Sequence, residues 1–266
     1  MKRPIFTFSI LLTMLFSAVF VFGQTNGSPV AASFPFASGE TLHFEGKLNK
    51  FVSVTIGDLT FKVNDADKSR MRFTIDARSR GTLMKLFRYS FTQEIDTFAD
   101  ANKLFAISST KHDVQKQRVR NSITDFDYDR RMVTWIESNP DEPTNRPRTI
   151  ASDLEGPTHD IVSAIYYLRT LPLAVGYSTT INISDSGLVY KIPVKVLARE
   201  REKTIFGNIW CYRVEPELFG PGRFFEQKGK MEIWLSDDAR RIPIRAKVNA
   251  EVGKVEIRLK DATNLK

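Results

Sequence analysis

The feature that most limits what this chain can fold into is strict alternation of apolar and polar residues over long stretches. Ile242, Ile244, Ala246, Val248, Ala250 and Val252 interleave with Arg241, Pro243, Arg245, Lys247, Asn249 and Glu251. A period of two puts every second side chain on one face of an extended backbone, which describes a strand with one face on a core and one in water. Met231, Ile233 and Leu235 alternate in the same way just before, and Ser236-Asp237-Asp238-Ala239 has the chemistry of the turn between them. Pro243 has no N–H to give to a ladder, so it belongs at a strand start, an edge or a bulge. After Gly253-Lys254 the alternation resumes at Val255, Ile257 and Leu259 in shifted parity. A two-residue hairpin with glycine first or a bulge in one long strand would each produce that shift, and the hairpin is preferred. Upstream, Leu42, Phe44 and Leu48 oppose Thr41, Glu45 and Lys47, and alternating runs recur at 52–63, 71–77, 89–98 and 123–128.

One segment departs from this period. Ile161, Ala164/Ile165 and Leu168 are spaced by three and four, with Thr158 placed to cap, Asp160 in the first turn and Pro172 as the stop. The spacing predicts a helix of about ten residues laid on the sheet. Residues 138–157 are rich in turn formers and predict a long loop before it. A weaker helical pattern covers 82–88, where Leu83, Leu86 and Phe87 could share a face.

Residues 1–23 have the form of a secretory signal. Lys2 and Arg3 precede an uncharged stretch from Ile5 to Phe22, and Val21 and Gly23 suit cleavage before Gln24. An uncleaved anchor is the rival reading, at the lower limit of bilayer-spanning length. Residues 24–35 read as a flexible leader and 36–262 as a single β domain, with no later stretch apolar enough to span a membrane. The net charge of +8 falls by two when Lys2 and Arg3 leave with the signal. An exported basic chain meets anionic lipid or polysaccharide rather than nucleic acid, and its arginines stand in scattered pairs instead of one patch. The expected location is therefore periplasmic or secreted, with no nucleic-acid partner.

No motif of catalysis stands out. A single cysteine rules out an internal disulfide framework and cysteine-rich zinc modules. Cys211, between Trp210 and Tyr212 in a strand-like run, reads as a small core residue. His112-Asp113 and His159-Asp160 are adjacent pairs whose side chains diverge, His43 lies on the wet side of its strand, and no HExxH or comparable spacing exists. Asp237-Asp238 fits a turn better than a glycosidase pair. The expectation is a non-enzyme with no cofactor and no metal. Candidate ligand or partner residues are His159, which opens the helix beside a long loop and is otherwise a local cap, and Tyr166, Tyr167 and Arg169. The last three either offer an aromatic and cationic surface or pack a tyrosine onto the sheet with its hydroxyl at the edge. Residues 219–225 add Arg223, Phe224 and Phe225 in a loop with aromatic flanks that closes a cavity or simply connects a hairpin.

At the helix and beyond, Asp160, Ser163-Ala164-Ile165-Tyr166-Tyr167-Leu168-Arg169, Leu171-Pro172-Leu173 and Gly176 resemble the signature of the bacterial domain of unknown function 3108. Gly39-Glu40-Thr41-Leu42, Tyr128-Asp129-Arg130, Val196-Leu197, Arg199-Glu200, Gly207, Cys211 and Val214-Glu215-Pro216 continue the likeness. So do Gly229-Lys230-Met231, the run from Ile233 to Asp238 and Arg240-Arg241-Ile242-Pro243, so that most of 36–260 is covered. The resemblance implies an exported bacterial protein, commonly of Gram-negative envelopes, with an antiparallel β fold and no established activity. It implies a shape similar to the curved half-barrels of periplasmic lipoprotein carriers, which is an analogy of fold and assigns no function.

These readings converge on an all-β chain: a strongly curved antiparallel sheet or open barrel with one short helix packed on it. The function expected is binding or carriage of an amphipathic envelope ligand such as a lipid, with the helix around Tyr166 and the 219–225 loop guarding the entrance and a basic rim favouring anionic heads. The alternatives are a structural or assembly component that contacts another envelope protein through its sheet edge and, third, a hydrolase of envelope polymers. Cavity volume separates the first two, since an apolar pocket of at least ~300 Å³ favours a ligand and a filled core favours assembly.

Overall fold

The computed structural model describes residues 34–49, 53–65, 67, 69–81, 90–222, 225–226, 228–250 and 253–266. Among these, the strands are β1 (Thr41–Asn49), β2 (Ser53–Asp65), β3 (Arg70–Ser79), β4 (Phe91–Asp100), β5 (Ala106–Gln115), β6 (Arg118–Asp127), β7 (Met132–Ser138) and β8 (Arg148–Asp153). Helix α1 (Ile161–Thr170) follows, then β9 (Ser178–Asp185), β10 (Leu188–Thr204), β11 (Gly207–Pro216), β12 (Gly229–Ser236), β13 (Pro243–Ala250) and β14 (Gly253–Thr263). All fourteen strands join one antiparallel sheet in the order β8-β7-β6-β5-β4-β3-β2-β1-β14-β13-β12-β11-β10-β9. The two halves of the chain each meander between neighbours, and the first and last strands meet in the middle of the sheet.

That order makes β8 and β9 the two edges, although they follow one another in sequence. The segment between them, which carries α1, runs across the gap. Its backbone bonds to both sides: Thr158 O accepts from Ala106 N at 2.9 Å, His159 N donates to Asn182 O at 2.9 Å and Ser184 N donates to His159 O at 2.7 Å. His159 thus pairs in parallel with Ile183 of β9. The exposed ladder groups that make an edge strand prone to association are in this way partly occupied.

The two ends of the sheet also touch. Ser186 and Gly187 form the turn between β9 and β10, both at positive φ, as a two-residue hairpin of this kind requires. A Cβ on Gly187 would lie 2.6 Å from Ile150 O of β8 and 3.0 Å from Trp135 Cβ of β7. Gly207, with φ near 90°, has nothing within 4 Å of such a Cβ. Gly207→Ala should therefore cost only the backbone strain of about 1–2 kcal/mol. Gly187→Ala should exceed it by at least ~1 kcal/mol, because the clash is with backbone. Urea midpoints of the two variants test this, and equal losses would mean that the turn does not seat on β8.

Alternation in sequence becomes alternation in burial. Phe73, Ile75 and Ala77 of β3 are buried, while Arg72, on the opposite face just before Phe73, pairs outside with Asp96 of β4. The expected turn at 236–239 lies between β12 and β13, and Pro243 opens β13 beside a register shift at Trp234/Leu235. The parity change near Gly253 is a hairpin, with Ala250 opposite Gly253. Gly253 and Lys254 are thus paired residues of β14 and not the turn expected, and residues 251–252 lie outside the described residues. Two corrections concern the region before the helix. The stretch 138–157 is not all loop, since β8 forms there by pairing with β7. The N-cap is Asp160, not Thr158: the Asp160 carboxylate accepts from Ser163 N at 2.8 Å and Ser163 Oγ answers on the Asp160 N–H at 3.1 Å. The Thr158 hydroxyl donates to Gly156 O instead. The helical pattern at 82–88 lies outside the described residues.

The sheet curls so that α1 is packed from two sides. Val162 and Tyr166 join Phe36, Val63, Phe73, Ile75, Ala99 and Leu104 on the β2–β4 side. Ala164 and Leu168 join Ile181, Ile183, Val194, Val196, Val214 and Leu235 on the β9–β12 side.

Candidate functional site

Spacing on α1 decides which residues meet which wall. Positions 162, 166 and 169 recur at four and three and turn into the β2–β4 side. Positions 161, 164, 165 and 168 turn the other way. Between this second face and strands β9–β14 lies a cavity of about 380 Å³ with an almost wholly apolar lining. Ile161, Ala164, Ile165 and Leu168 form its helix wall. Ile181, Ile183 and Val194 line it from β9 and β10, Met231 and Ile233 from β12, and Val248 and Val255 from β13 and β14. Leu218, Phe219 and Phe225 complete the lining from the connection after β11, where the two phenyl rings stack at 4.9 Å. Ile161 at the first turn is 38% exposed, so the helix wall reaches solvent there.

The residues singled out from the sequence fall unevenly on this arrangement. Phe225 lines the cavity, and Arg223 and Phe224 lie outside the described residues. Tyr166 and Arg169 do not form a surface: each is 1% exposed. The Arg169 guanidinium binds both oxygens of Glu40, Nη1 to Oε1 at 2.5 Å and Nη2 to Oε2 at 2.9 Å, and also reaches Arg240 O at 3.0 Å. It lies over the rings of Phe36 and Tyr166. Tyr166 stacks on Phe73 with centroids 4.1 Å apart, and burial pushes its phenol pKa up. These side chains hold the helix in place. The cavity is faced by the apolar stripe on the opposite side, which sequence spacing had marked only as the face meant for the sheet.

His159 is neither exposed nor a cap. It is 3% exposed, its Nδ1–H donates to Leu104 O at 3.0 Å, and its ring stacks on the half-buried Tyr167 at 4.3 Å. Burial lowers its pKa to about 4. Asp160 beside it accepts from the Thr97 hydroxyl as well as from Ser163, and burial raises its carboxyl.

The other titratable residues weighed from the sequence sit in structural settings. His43 bonds Thr60 Oγ1 at 2.9 Å and His112 bonds Asn121 Oδ1 at 2.6 Å, both on exposed strand faces. Cys211 is buried, and burial with nearby carboxylates pushes its thiol up to about 12, away from nucleophilic character. Burial works to raise Asp237 and Asp238, but Arg199 on the first and Arg240 on the second outweigh it and hold both carboxyls low. Among the described residues no group of three or more His, Cys, Asp or Glu is placed to hold a metal ion, and no helix is long and apolar enough to cross a membrane.

The fold and its cavity define a class: an open, barrel-like antiparallel sheet curled around helix α1. The chain belongs to the family described as Protein of unknown function (DUF3108), which it matches over residues 41–260. In fold it is similar to the β-barrel-like protein of domain of unknown function DUF1849 from Brucella abortus. That likeness has a TM-score of 0.60 at 12% identity and covers 86% of this chain and 98% of that one. A protein with a YmcC-like fold from Bacteroides fragilis matches at a TM-score of 0.35 and 14% identity, over 88% of this chain and 100% of the other. No curated protein matches the chain in sequence.

Proposed function

We propose that this chain is a non-enzymatic module that binds or carries an amphipathic ligand, the apolar part of which fills the cavity between α1 and β9–β14. The observation that carries this reading is the cavity itself. Protein interiors are packed to crystal-like density, and an unfilled apolar space the size of a ligand pocket forfeits packing that side chains could supply. Each methylene moved from water into such a lining contributes about 0.8 kcal/mol, against which stands the cost of immobilising the ligand. A filled core would have favoured the assembly role. With the signal-like segment at 1–23, the module would act after export, in the periplasm or outside the cell.

The reading is tested with an environment-sensitive fatty acid, 11-(dansylamino)undecanoic acid, and with native mass spectrometry of the full chain purified from its own envelope. The probe should brighten and saturate with the wild type. Ile165→Trp, which extends a half-buried residue of the helix wall into the cavity, should weaken it by about tenfold or more, equivalent to at least ~1.4 kcal/mol. A chain that carries no lipid from the envelope and binds no probe would overturn the proposal. A probe held equally by the Trp variant would move the site elsewhere.

A further inference from the structure

The sheet does not keep one character along its inner surface. Where β9–β14 present isoleucine, valine and methionine, the same face of β4–β7 presents Gln93, Lys111, Gln115, Arg120 and Ser122 to a second cavity of about 470 Å³. Ile161 and Phe225 line both cavities, so the two meet at the first turn of α1. An apolar chamber adjoining a polar one has the layout of an amphipathic molecule.

Charge pairing narrows what the polar chamber can receive. Of its cations, Arg118 stands 3.6 Å from Asp113 and Arg120 stands 3.8 Å from Glu137. Asp160 is occupied by Thr97 and Ser163. Two groups of opposite sign are left over. Lys111 of β5 makes no ion pair among the described residues, and Asp185 of β9 has no cationic partner there, accepting only the Ser186 hydroxyl at 3.2 Å.

We propose that the polar chamber is the head-group site of the ligand proposed above, and that it takes a zwitterionic head, its negative group on Lys111 and its positive group on Asp185. A head with one net negative charge would satisfy Lys111 and leave Asp185 in a ligand-filled site without a counterion, an arrangement that disfavours the wrong ligand. The inference rests on the carrier reading, and the test separates the two.

Single-chain lipids of equal chain length bearing phosphoethanolamine or phosphoglycerol heads, and the free fatty acid, are titrated against the dansyl probe on the full chain. The phosphoethanolamine lipid should bind about tenfold more tightly than the phosphoglycerol lipid. Asp185→Asn should abolish that preference, and Lys111→Met should weaken both phospholipids and the fatty acid by about tenfold, because Lys111 takes the anionic group of each. Both variants should fold, since neither breaks an ion pair, and their melting curves establish this. Equal affinity for all three heads, or a preference that survives Asp185→Asn, would overturn the head-group assignment while fatty-acid binding by the wild type still upheld the carrier. If the fatty acid too failed to bind the wild type, both would fall.

Discussion

Glu40→Ala is expected to destabilise the protein by about 3–5 kcal/mol, the range found when one partner of a buried ion pair is removed. Neither Glu40 nor Arg169 has any side-chain exposure, and the carboxylate takes two hydrogen bonds from the guanidinium. With Glu40 gone, the guanidinium keeps the carbonyls of Arg240 and Pro35 and the faces of Phe36 and Tyr166, but no counter-charge. The cost is that of a buried cation, so it should shrink when the cation goes too. Glu40→Leu with Arg169→Met should recover most of the loss, because well-packed apolar replacements of a buried pair are often neutral or better. Urea unfolding of the two variants measures both. A single-variant loss below ~1 kcal/mol would show that the carbonyls and rings suffice without Glu40. The pair also bears on the cavity. Arg169 sits in the last turn of α1 and Glu40 immediately precedes β1, so the contact holds one end of the helix wall. The Glu40→Ala variant should accordingly bind the dansyl probe less tightly.

Much of this architecture was legible in the sequence, and where it was not, the reason is specific. Residues 41–48 and 243–250 alternate because one face of each strand meets a core, and that signal needs no knowledge of the partner strand. Strand β8 gives no such signal. Its residues Arg148 to Asp153 are largely exposed at an edge, so nothing selects an apolar face, and pairing with β7 alone defines it. The capping box was disguised by a serine at the third helical position where glutamate or glutamine is usual. The stripe at 161, 164, 165 and 168 was visible, but a helix packed on two sides has no wet face. Spacing cannot say which wall is filled and which is hollow. Tyr166 and Arg169 looked like recognition residues because an arginine with tyrosines suits an exposed surface equally well. The deciding partner, Glu40, lies 129 residues away in sequence. The cavity and the Lys111–Asp185 chamber draw their linings from several strands each, and neither leaves a local motif.

The stability of the wild type should fall by roughly 3 kcal/mol on account of His159 alone as the pH drops from about 6.5 to about 4, at 1.36 kcal/mol per unit. The sign follows from the depressed pKa. Burial holds the folded imidazole at about 4, against the opposing pull of its bond to Leu104 O, while the unfolded residue titrates near its ordinary 6.5. Between those values the unfolded chain binds the extra proton. Stability is therefore whole above about 6.5 and is lost as the pH falls through the window, with no further loss from this residue below it. Asp160 acts in the opposite sense, because its raised pKa makes the folded state the better proton acceptor above the ordinary carboxyl value. His159→Phe removes the imidazole and keeps a ring to stack on Tyr167, so the wild-type-minus-variant difference isolates the histidine from Asp160 and the surface pairs. That difference should shrink steadily between pH 6.5 and 4 in urea titrations, and parallel curves would refute the assignment. The segment that loses stability is the one bridging β9 to the β5 side. At pH 4–5 the amides of His159 and Ser184, which carry that bridge, should exchange with solvent faster in the wild type than in the variant. A uniform change across the sheet would instead place the titration outside the seam.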